Sequence, residues 1–357
     1  MYSSPVYRVW YQSIRELRPQ EHKARVGNFA RVAEGIFRSR SVHLSRIASK
    51  IPGHAVQKSK IQRVSRFLNN PSVRVRQWYG PTARLLLEEQ LRTGGEIRLI
   101  VDCSKIGFGH QLLSVSLAYR RRTIPIAWTW VPCRRGHSSA SKQIALLRYV
   151  YTLIPPGASV SLTGDSEFGA VEVLRLFDAW GWGYALRQKG SHLIQLKGHT
   201  WIRLGDLVQS AGQSVWLENV LLTQQHAHPC NLLAHWHPGE KEPWLLATNL
   251  PSKRQTLTTY RRRMWIEEMF GDFKKHGFDL ESTHLRHFMR LSRLTLVVAF
   301  LYLWLVAFGS KVIKNGQRKL VDRPERRDLS VFRIGFDMIE RLIQNRLPIT
   351  MQSKPYF

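Results

Sequence analysis

The stretch IRLIVDC, residues 97–103, marks the point where the pattern of the sequence changes. Before it, apolar residues recur at helical spacing. Here aliphatic and β-branched residues follow one another and lead into an acid, which is typical of a buried strand. Two further strand candidates come soon after it, LLSVSLAYRR at 112–121 and TIPIAWTWV at 123–131. The three segments predict neighbouring strands of an antiparallel meander.

Strand and helix patterns then alternate. A helix is predicted at 139–153, the strand SVSLTGD at 159–165, a helix at 169–180 and the strand GYALRQK at 183–189. This order predicts an α/β fold of the ribonuclease-H-like kind, a mixed sheet with helices on both faces.

The segments outside this core predict five regions. Residues 1–95 form a helical DNA-binding domain, 96–189 the first part of the α/β core, and 190–255 a β-rich insertion that interrupts it. Residues 256–310 return to helix and complete the core, and 311–357 form a basic C-terminal region for DNA binding or dimerisation. No repeat of fixed period is present.

The charge of the chain favours a polyanionic partner. There are 54 Lys and Arg against 25 Asp and Glu, a formal net charge of +29, and residues 1–95 hold 18 of the basic residues against 5 acids. Nucleic acid is the first expectation, because each neutralised phosphate releases counterions. Two amphipathic segments, 44–51 and 56–68, flank Pro52-Gly53. They predict either a helix-turn-helix-like DNA reader or a helical bundle with solvated basic faces.

Cysteine content and apolar runs indicate the compartment. Cys103, Cys133 and Cys230 are odd in number and widely spaced, so neither a disulfide framework nor a CxxC zinc module is expected. The N-terminus lacks the apolar core of a signal peptide. The run Leu294–Phe308 is shorter than the roughly 20 residues of a membrane span, which predicts a buried core helix and no membrane. A reducing cytoplasm is the expected location.

Two acids lie at predicted strand ends in this basic protein. Asp102 follows IRLIV and Asp165 follows VSLTG. Burying a lone carboxylate is costly unless it is paired or binds a metal, and the ends of strands are where α/β sites form. Either residue could instead be a turn or helix-capping Asp.

A third acid lies in YRRRMWIEEMFGDFKKHGF, residues 260–278. On one continuous helix, at about 100° per residue, a narrow stripe would contain Tyr260, Arg263, Glu267 and Lys274. The face beside it would be buried and comprise Ile266, Met269, Phe270 and Phe273. Glu268 and Asp272 would point to solvent, so Glu267 is the glutamate at the edge of the core. An ordinary amphipathic helix with an i,i+4 ion pair from Arg263 to Glu267 fits the same pattern.

This spacing resembles a known family. Tyr260, two residues, Arg263, three residues, Glu267, six residues and Lys274 match the Y-(2)-R-(3)-E-(6)-K signature of bacterial insertion-sequence DDE transposases of the IS-four group. Asp102 and the LTGDSEFG segment around Asp165 are similar to the first and second acid motifs of that family, although many relatives have Arg where this chain has Ser166. The resemblance covers most of the chain.

The resemblance implies a ribonuclease-H-like catalytic domain in which Asp102, Asp165 and Glu267 bind two Mg²⁺ ions, with Mn²⁺ able to substitute. Arg263 and Lys274 are expected to contact phosphate near the cut, and Tyr260 to help position the strand. Members of the family cut double-stranded DNA at terminal inverted repeats, often through a hairpin. They join those ends to target DNA within a homodimer, in the bacterial cytoplasm at the nucleoid.

Two further features carry alternatives. Trp244 resembles the insertion-domain Trp that stacks on a flipped base in hairpin-forming relatives; it could equally be a core Trp of a sheet. Residues 226–237 contain five candidate zinc ligands, His226, His228, Cys230, His235 and His237. Their spacing matches no common zinc module, so a polar hairpin is predicted there.

Two other functions share these features. A metal-dependent nuclease or recombinase could use the three acids without joining DNA. A non-catalytic DNA-binding derivative of a transposase would be expected to have lost an acid, and all three acids remain.

Overall fold

A ten-stranded mixed sheet occupies most of the chain between residues 90 and 268. The computed structural model describes residues 4–106, 109–132 and 137–357. The strands are β1 (Ile97–Ile106), β2 (His110–Tyr119), β3 (Arg122–Pro132), β4 (Val160–Gly164), β5 (Gly183–Arg187), β6 (Leu193–Gln195), β7 (Ile202–Arg203), β8 (Ser214–Leu222), β9 (His228–His235) and β10 (Trp244–Thr248). Their order is β3-β2-β1-β4-β5-β10-β9-β8-β6-β7. The prediction of an α/β protein with a large mixed sheet is confirmed.

The centre of the sheet is parallel. Strand β1 pairs in parallel with β4, and β4 pairs in parallel with β5. The last pair of the first ladder joins Val101 to Gly164, so Asp102 and Asp165 follow at the same level on adjacent strands. The prediction that the first strand ends at Asp102 is wrong, because β1 continues to Ile106. Only its parallel pairing stops there.

The strands after residue 190 continue the same sheet. Strand β10 is antiparallel to both β5 and β9, and β9 is antiparallel to β8. The pairing of β10 with β5 brings the region beyond residue 240 beside the parallel centre.

The sheet belongs to one compact unit, the sheet unit, which comprises Gln90–Lys105 and Gln111–Glu268. Three helices and part of a fourth belong to the same unit. They are α6 (Ala140–Tyr151), α7 (Val171–Trp180), α8 (Lys253–Arg261) and the start of α9 (Trp265–Phe273). Helix α6 packs on β3, and α7 and α8 pack on β5. The bounds of α6, α7, β4 and β5 lie within two residues of those predicted, because periodicity distinguishes buried strands from amphipathic helices.

The second unit, the helical unit, comprises Met1–Glu89, Ile106–His110 and Met269–Phe357. Its helices are α1 (Pro5–Leu17), α2 (Lys23–Ser39), α3 (Leu44–Lys50), α4 (Gln57–Asn69), α10 (Phe288–Lys314), α11 (Val331–Gln344) and most of α5 (Val75–Gly94). Helices α3 and α4 match the two amphipathic segments predicted on either side of Pro52-Gly53.

Helix α10 is the core of the helical unit. Its length and apolar composition would suffice to cross a membrane, and 89% of the apolar window is buried inside the structure. Trp304 of α10 stacks on Trp10 with ring centroids 5.6 Å apart. Helix α11 crosses α10 where Gly309 faces Gly335, and a Cβ atom on Gly335 would overlap the carbonyl oxygen of Leu305. The predicted buried core helix is what the structure contains.

Two of the three cysteines are described, and both are thiols that form no disulfide. Cys230 is buried and Cys103 is half-buried. Cys133 lies outside the described residues.

Candidate active site

The first two acids are oriented by backbone amides. Asp102 Oδ1 accepts a hydrogen bond from its neighbour, Cys103 N, at 2.7 Å. Asp165 Oδ1 accepts one from Glu167 N at 2.9 Å and so caps the 3-10 turn Ser166–Phe168. In each residue one carboxylate oxygen is held by the backbone, and the Oδ2 atom is turned toward the same cation.

Gly164 leaves room for this arrangement. A Cβ atom on Gly164 would lie 2.8 Å from Val101 Cγ1 and 3.1 Å from the ring of Phe168. Any side chain at this position would force the adjacent strand or the turn after Asp165 to shift.

The cation is Arg263. Its Nη2 lies 3.2 Å from Asp102 Oδ2 and 3.8 Å from Asp165 Oδ2, while its Nη1 lies 2.8 Å from Glu267 Oε1. One guanidinium therefore contacts all three predicted acids, which come from two parallel strands and a helix. The Nε atom of Arg263 is buried and has no hydrogen-bond partner.

The predicted continuous helix over 260–278 is wrong. Helix α8 ends at Arg261, the 3-10 turn Arg262–Met264 follows, and α9 runs only from Trp265 to Phe273. A 3-10 turn has three residues per turn, so the angular positions expected for a regular α-helix do not continue through it. The i,i+4 pair of Arg263 with Glu267 is nevertheless formed.

The surroundings of Asp102 disfavour its charge. Burial raises the pKa of Asp102 to about 7, the nearby Arg263 charge lowers it, and the Asp165 charge raises it again. For Arg263, burial lowers the pKa, and the charges of Asp102 and Asp165 outweigh that effect and raise it. The cluster therefore needs positive charge among its carboxylates.

Glu267 and Glu268 differ in partner more than in exposure. Their side chains are 52% and 61% exposed. Glu267 faces Arg263, whereas Glu268 Oε2 lies 3.2 Å from Nη2 of the buried Arg122. Glu267 is the member of the pair that joins the two strand acids.

The far end of the segment differs from expectation. Ile266, Met269, Phe270 and Phe273 are buried as predicted. Asp272 was predicted to face solvent and is only 5% exposed, because the chain turns back after α9 and Phe278 N donates to Asp272 O. Lys274 lies beyond the end of α9, in the helical unit, with its Nζ 3.6 Å from Glu281 Oε1.

Tyr260 and Trp244 contact each other. Their ring centroids are 5.1 Å apart and the rings are inclined by 67°. Tyr260 is buried with Ala185, Leu233 and Leu246, and Trp244 packs half-buried against this cluster. Burial raises the pKa of Tyr260, while the charges of Arg187 and Arg263 lower it.

Sequence reasoning missed Arg187. This residue ends β5, the third parallel strand, and its Nη2 lies 3.0 Å from Glu242 Oε2. With Ser166, Lys189 and Gly190 it lines a cavity of about 450 Å³ beside Asp165. The sequence signal for this residue was the pair Arg187 and Lys189 in GYALRQK, which follows a predicted strand at the same edge of the sheet as the two acids.

The histidine-rich segment forms a strand and its flanks. His228 Nε2 lies 3.2 Å from Asp178 Oδ2, and burial lowers the pKa of His228. His235 Nδ1 lies 3.1 Å from Ser214 Oγ, and His237 Nδ1 lies 2.7 Å from Pro238 O. Within residues 4–106, 109–132 and 137–357, no three His, Cys, Asp or Glu side chains lie at metal-ligand spacing. This holds for the three acids as well, which surround a guanidinium.

Part of the sequence matches a known protein family. Residues 129–304, just under half of the chain, match the family described as "Transposase DDE domain". The matched span includes Asp165 and Glu267 and begins after Asp102. No curated protein matches the sequence. Seven chains of solved structures match this chain. One is the cryo-EM structure of a piggyBac transposase synaptic complex with hairpin DNA, which has 10% sequence identity and a TM-score of 0.41 over 97% of this chain and 80% of that chain.

Proposed function

We propose that the chain is a DNA transposase of the IS-four group that cuts at the ends of an insertion sequence and joins them to target DNA. The observation that carries the proposal is the convergence of Asp102, Asp165 and Glu267 on one guanidinium. Register and capping turn two acids of adjacent parallel strands toward the same point. The match to a transposase domain supports the same conclusion.

The donor set fits Mg²⁺. Three carboxylates supply hard oxygen ligands, and Asp102 and Asp165 each keep one oxygen free of backbone hydrogen bonds and turned inward. In the structure, Arg263 supplies the positive charge that the three carboxylates require. We propose that the three acids hold two Mg²⁺ ions, or Mn²⁺ in their place. Bound there, the ions would activate the attacking water or 3′-hydroxyl and stabilise the leaving oxygen.

The remaining residues act on DNA. Arg263 has a donor without a partner at Nε, so it can contact a phosphate once its carboxylates are neutralised by other cations. Lys274 is proposed as a second phosphate contact. Tyr260 is buried, so we propose that it positions the strand by fixing Trp244 and the segment that leads to Arg263.

The finer parts of the proposal follow the YREK resemblance. They are a ribonuclease-H-like core, binding of terminal inverted repeats and target DNA, and a homodimer that holds two ends. The location is the bacterial cytoplasm at the nucleoid.

The decisive experiment uses a plasmid that carries the genomic DNA flanking the coding sequence on both sides. The parent chain is incubated with it and Mg²⁺, beside the Asp102→Asn, Asp165→Asn and Glu267→Gln variants. Glu268→Gln is the matched control, because Glu268 is a similarly exposed neighbour that pairs with Arg122 instead. Breaks at the element's ends should disappear in the first three variants and persist in the control. Cutting by all four variants would refute the site.

Strand transfer separates the transposase from a nuclease. Precleaved ends with free 3′-hydroxyls are mixed with a target plasmid and Mg²⁺, and joined products are counted. Joined products support a transposase, whereas end cleavage without joining would indicate a nuclease or recombinase. Inactivity of a folded parent chain in both assays would indicate a non-catalytic derivative.

Trp244 is proposed to stack on a base that is extruded at the cut end. Its half-buried ring has one side against the Tyr260 cluster, and stacking is open to any base. Trp244→Phe should retain hairpin formation and Trp244→Ala should reduce it in folded protein. Unchanged hairpin yield in Trp244→Ala would remove the role.

A further inference from the structure

We propose that Glu167 is a positioning residue for the carboxylate cluster, because its side chain holds the turn that aims Asp165 at Arg263. The turn, called the Asp165 turn, comprises residues 165–168. The inference rests on the proposed function, since it names what keeps one of the proposed metal ligands in place.

The side chain of Glu167 fastens the Asp165 turn to the segment that leads into α6. Glu167 Oε1 accepts hydrogen bonds from Ser138 N at 2.7 Å and from Ser138 Oγ at 2.5 Å. Ser138 is only 5% exposed, so water has little access to these bonds. Bonds to an ionised acceptor are stronger than those between neutral groups. One carboxylate oxygen therefore joins two segments that are separated in the sequence by α6 and β4.

Helix α6 supplies a second attachment through Gln143. This side chain is buried, and its Nε2 lies 3.1 Å from Glu167 O and 3.0 Å from Ser138 Oγ. The same amide thus holds the backbone of the turn and the hydroxyl that bonds to its carboxylate. Gln143 Oε1 is buried without a hydrogen-bond partner, which costs stability. Because an apolar side chain would avoid that cost, the network indicates a geometric role for Gln143.

The opposite side of the turn rests on the end of β5. Phe168 is fully buried. Gly169 lies so close to β5 that a Cβ atom there would be 2.7 Å from Arg187 O. The turn is therefore packed on the β5 side and hydrogen-bonded on the α6 side, where Glu167 provides the charged acceptor.

These contacts fix the amide that orients Asp165. Glu167 N donates to Asp165 Oδ1 at 2.9 Å, and Phe168 N donates to Asp165 O at 3.1 Å. The place of the Glu167 amide sets the rotation of the Asp165 carboxylate, and so the direction of its Oδ2, which lies 3.8 Å from Arg263 Nη2. Without the Ser138 bonds the amide can move, and Asp165 Oδ2 no longer keeps one position.

The partners of Glu167 favour positioning over a direct role as a ligand. Arg263 forms ion pairs with three acids, and within the described residues Glu167 is not one of them. The oxygen of Glu167 that is bonded is held by a neutral residue, Ser138. Glu167 therefore acts on the cluster through Asp165.

The test compares Glu167→Ala with Glu167→Gln in the full chain. The Gln side chain keeps an oxygen that can accept both bonds from Ser138, whereas Ala has none. Glu172→Ala is the matched control, because Glu172 is an exposed glutamate in the first turn of α7 in the same unit. Ser138→Ala removes one of the two bonds. It takes the place of Glu167→Ala if circular dichroism shows that the latter does not fold.

Hydrogen–deuterium exchange of the peptide that contains residues 165–168 measures how firmly the turn is held, with no metal present. Loss of bonds to a charged acceptor should speed this exchange about ten- to a hundredfold in Glu167→Ala. Glu167→Gln and Glu172→Ala should exchange close to the rate of the parent, and Ser138→Ala should lie between.

Binding of Mn²⁺, followed by electron paramagnetic resonance without DNA, measures the consequence for the cluster. Glu167→Ala should bind the ion about 10- to 100-fold more weakly, which is the usual effect of removing a group that orients a metal ligand. Glu167→Gln should bind it like the parent, because the orienting bonds remain.

Three results would overturn the inference. The first is parent-like exchange in the folded Glu167→Ala variant, or in Ser138→Ala where that variant replaces it. The second is faster exchange with unchanged affinity for Mn²⁺. The third is weak binding by Glu167→Gln with parent-like exchange, which would make Glu167 itself a ligand.

Failure of the proposed function gives a different pattern. A parent chain that binds no Mn²⁺ and neither cuts nor joins DNA would exclude the metal site and the transposase. The exchange rates of Glu167→Ala and Glu167→Gln would still decide whether Glu167 holds the Asp165 turn.

Discussion

Replacing Arg263 with Gln removes the cation that lies among three carboxylates, and the loss can be worked out from the distances. At an effective dielectric constant near 20, unit charges 3.2 Å apart, as in the contact with Asp102, attract by about 5 kcal/mol before desolvation is subtracted. The ion pair of Arg263 with the half-exposed Glu267 contributes less than about 1 kcal/mol. Breaking a buried pair costs about 3–5 kcal/mol. Because Asp102 can take up a proton instead, we expect a loss of about 2–4 kcal/mol at pH 8.

The loss should depend on pH. The pKa of Asp102 is about 7 in the folded chain against 3.8 when unperturbed, so the folded state holds its proton more tightly than the unfolded state. The resulting stabilisation is complete below pH 3.8 and is lost as the pH rises through about 7. Without Arg263 this pKa rises further. At pH 5 Asp102 is already protonated in both proteins, so the Arg263→Gln variant should lose much less stability there than at pH 8.

Urea denaturation followed by tryptophan fluorescence, in EDTA at pH 5 and pH 8, measures both losses. Arg263→Lys is the control that keeps the charge and should lose less than Arg263→Gln. In the double variant with Asp102→Asn, most of the loss at pH 8 should be absent, since the buried charge is gone. A loss below about 0.5 kcal/mol at pH 8, or an equal loss at both pH values, would refute the electrostatic account of the cluster.

Three further outcomes are expected. Arg263→Gln should bind Mn²⁺ severalfold more tightly by electron paramagnetic resonance, because the guanidinium no longer competes for the carboxylates; unchanged or weaker binding contradicts that competition. Gly335→Ala should lower stability by about 2 kcal/mol or more, since its Cβ overlaps the α10 backbone, and a melt like the parent's would contradict the close crossing. Peptide mapping after maleimide labelling should find Cys103 modified well before Cys230, because Cys230 is buried and burial raises its pKa to about 12. Equal labelling of the folded chain would contradict that burial.

Local pattern was sufficient to predict the strands and helices around Asp165. Strands β4 and β5 and the helices between and before them were predicted within two residues, because their apolar periods are unambiguous. The pairing of Val101 with Gly164 was not readable, since register depends on contacts far apart in sequence. Register is what brings Asp102 beside Asp165.

The interruption at residues 262–264 was missed for a related reason. Hydrophobic period alone predicts one helix from Tyr260 onward, and nothing in RRRM distinguishes an α-turn from a 3-10 turn. The contacts of Arg263 with acids 161 and 98 residues earlier arise from tertiary packing, which overrides local preference. Arg187 was missed because its significance depends on β5 being parallel to β4.

A local structural role and a role in the acid cluster are carried by different atoms of the same side chains. Asp165 is a turn-capping residue through Oδ1 and a member of the cluster through Oδ2. Arg263 forms the ordinary i,i+4 pair through Nη1 and reaches both strand acids through Nη2. A carboxylate has two oxygens and a guanidinium five donors, so a local structural role leaves capacity for a second partner. The capping bond also fixes where the free oxygen points, and the structural role is therefore part of how the site is built.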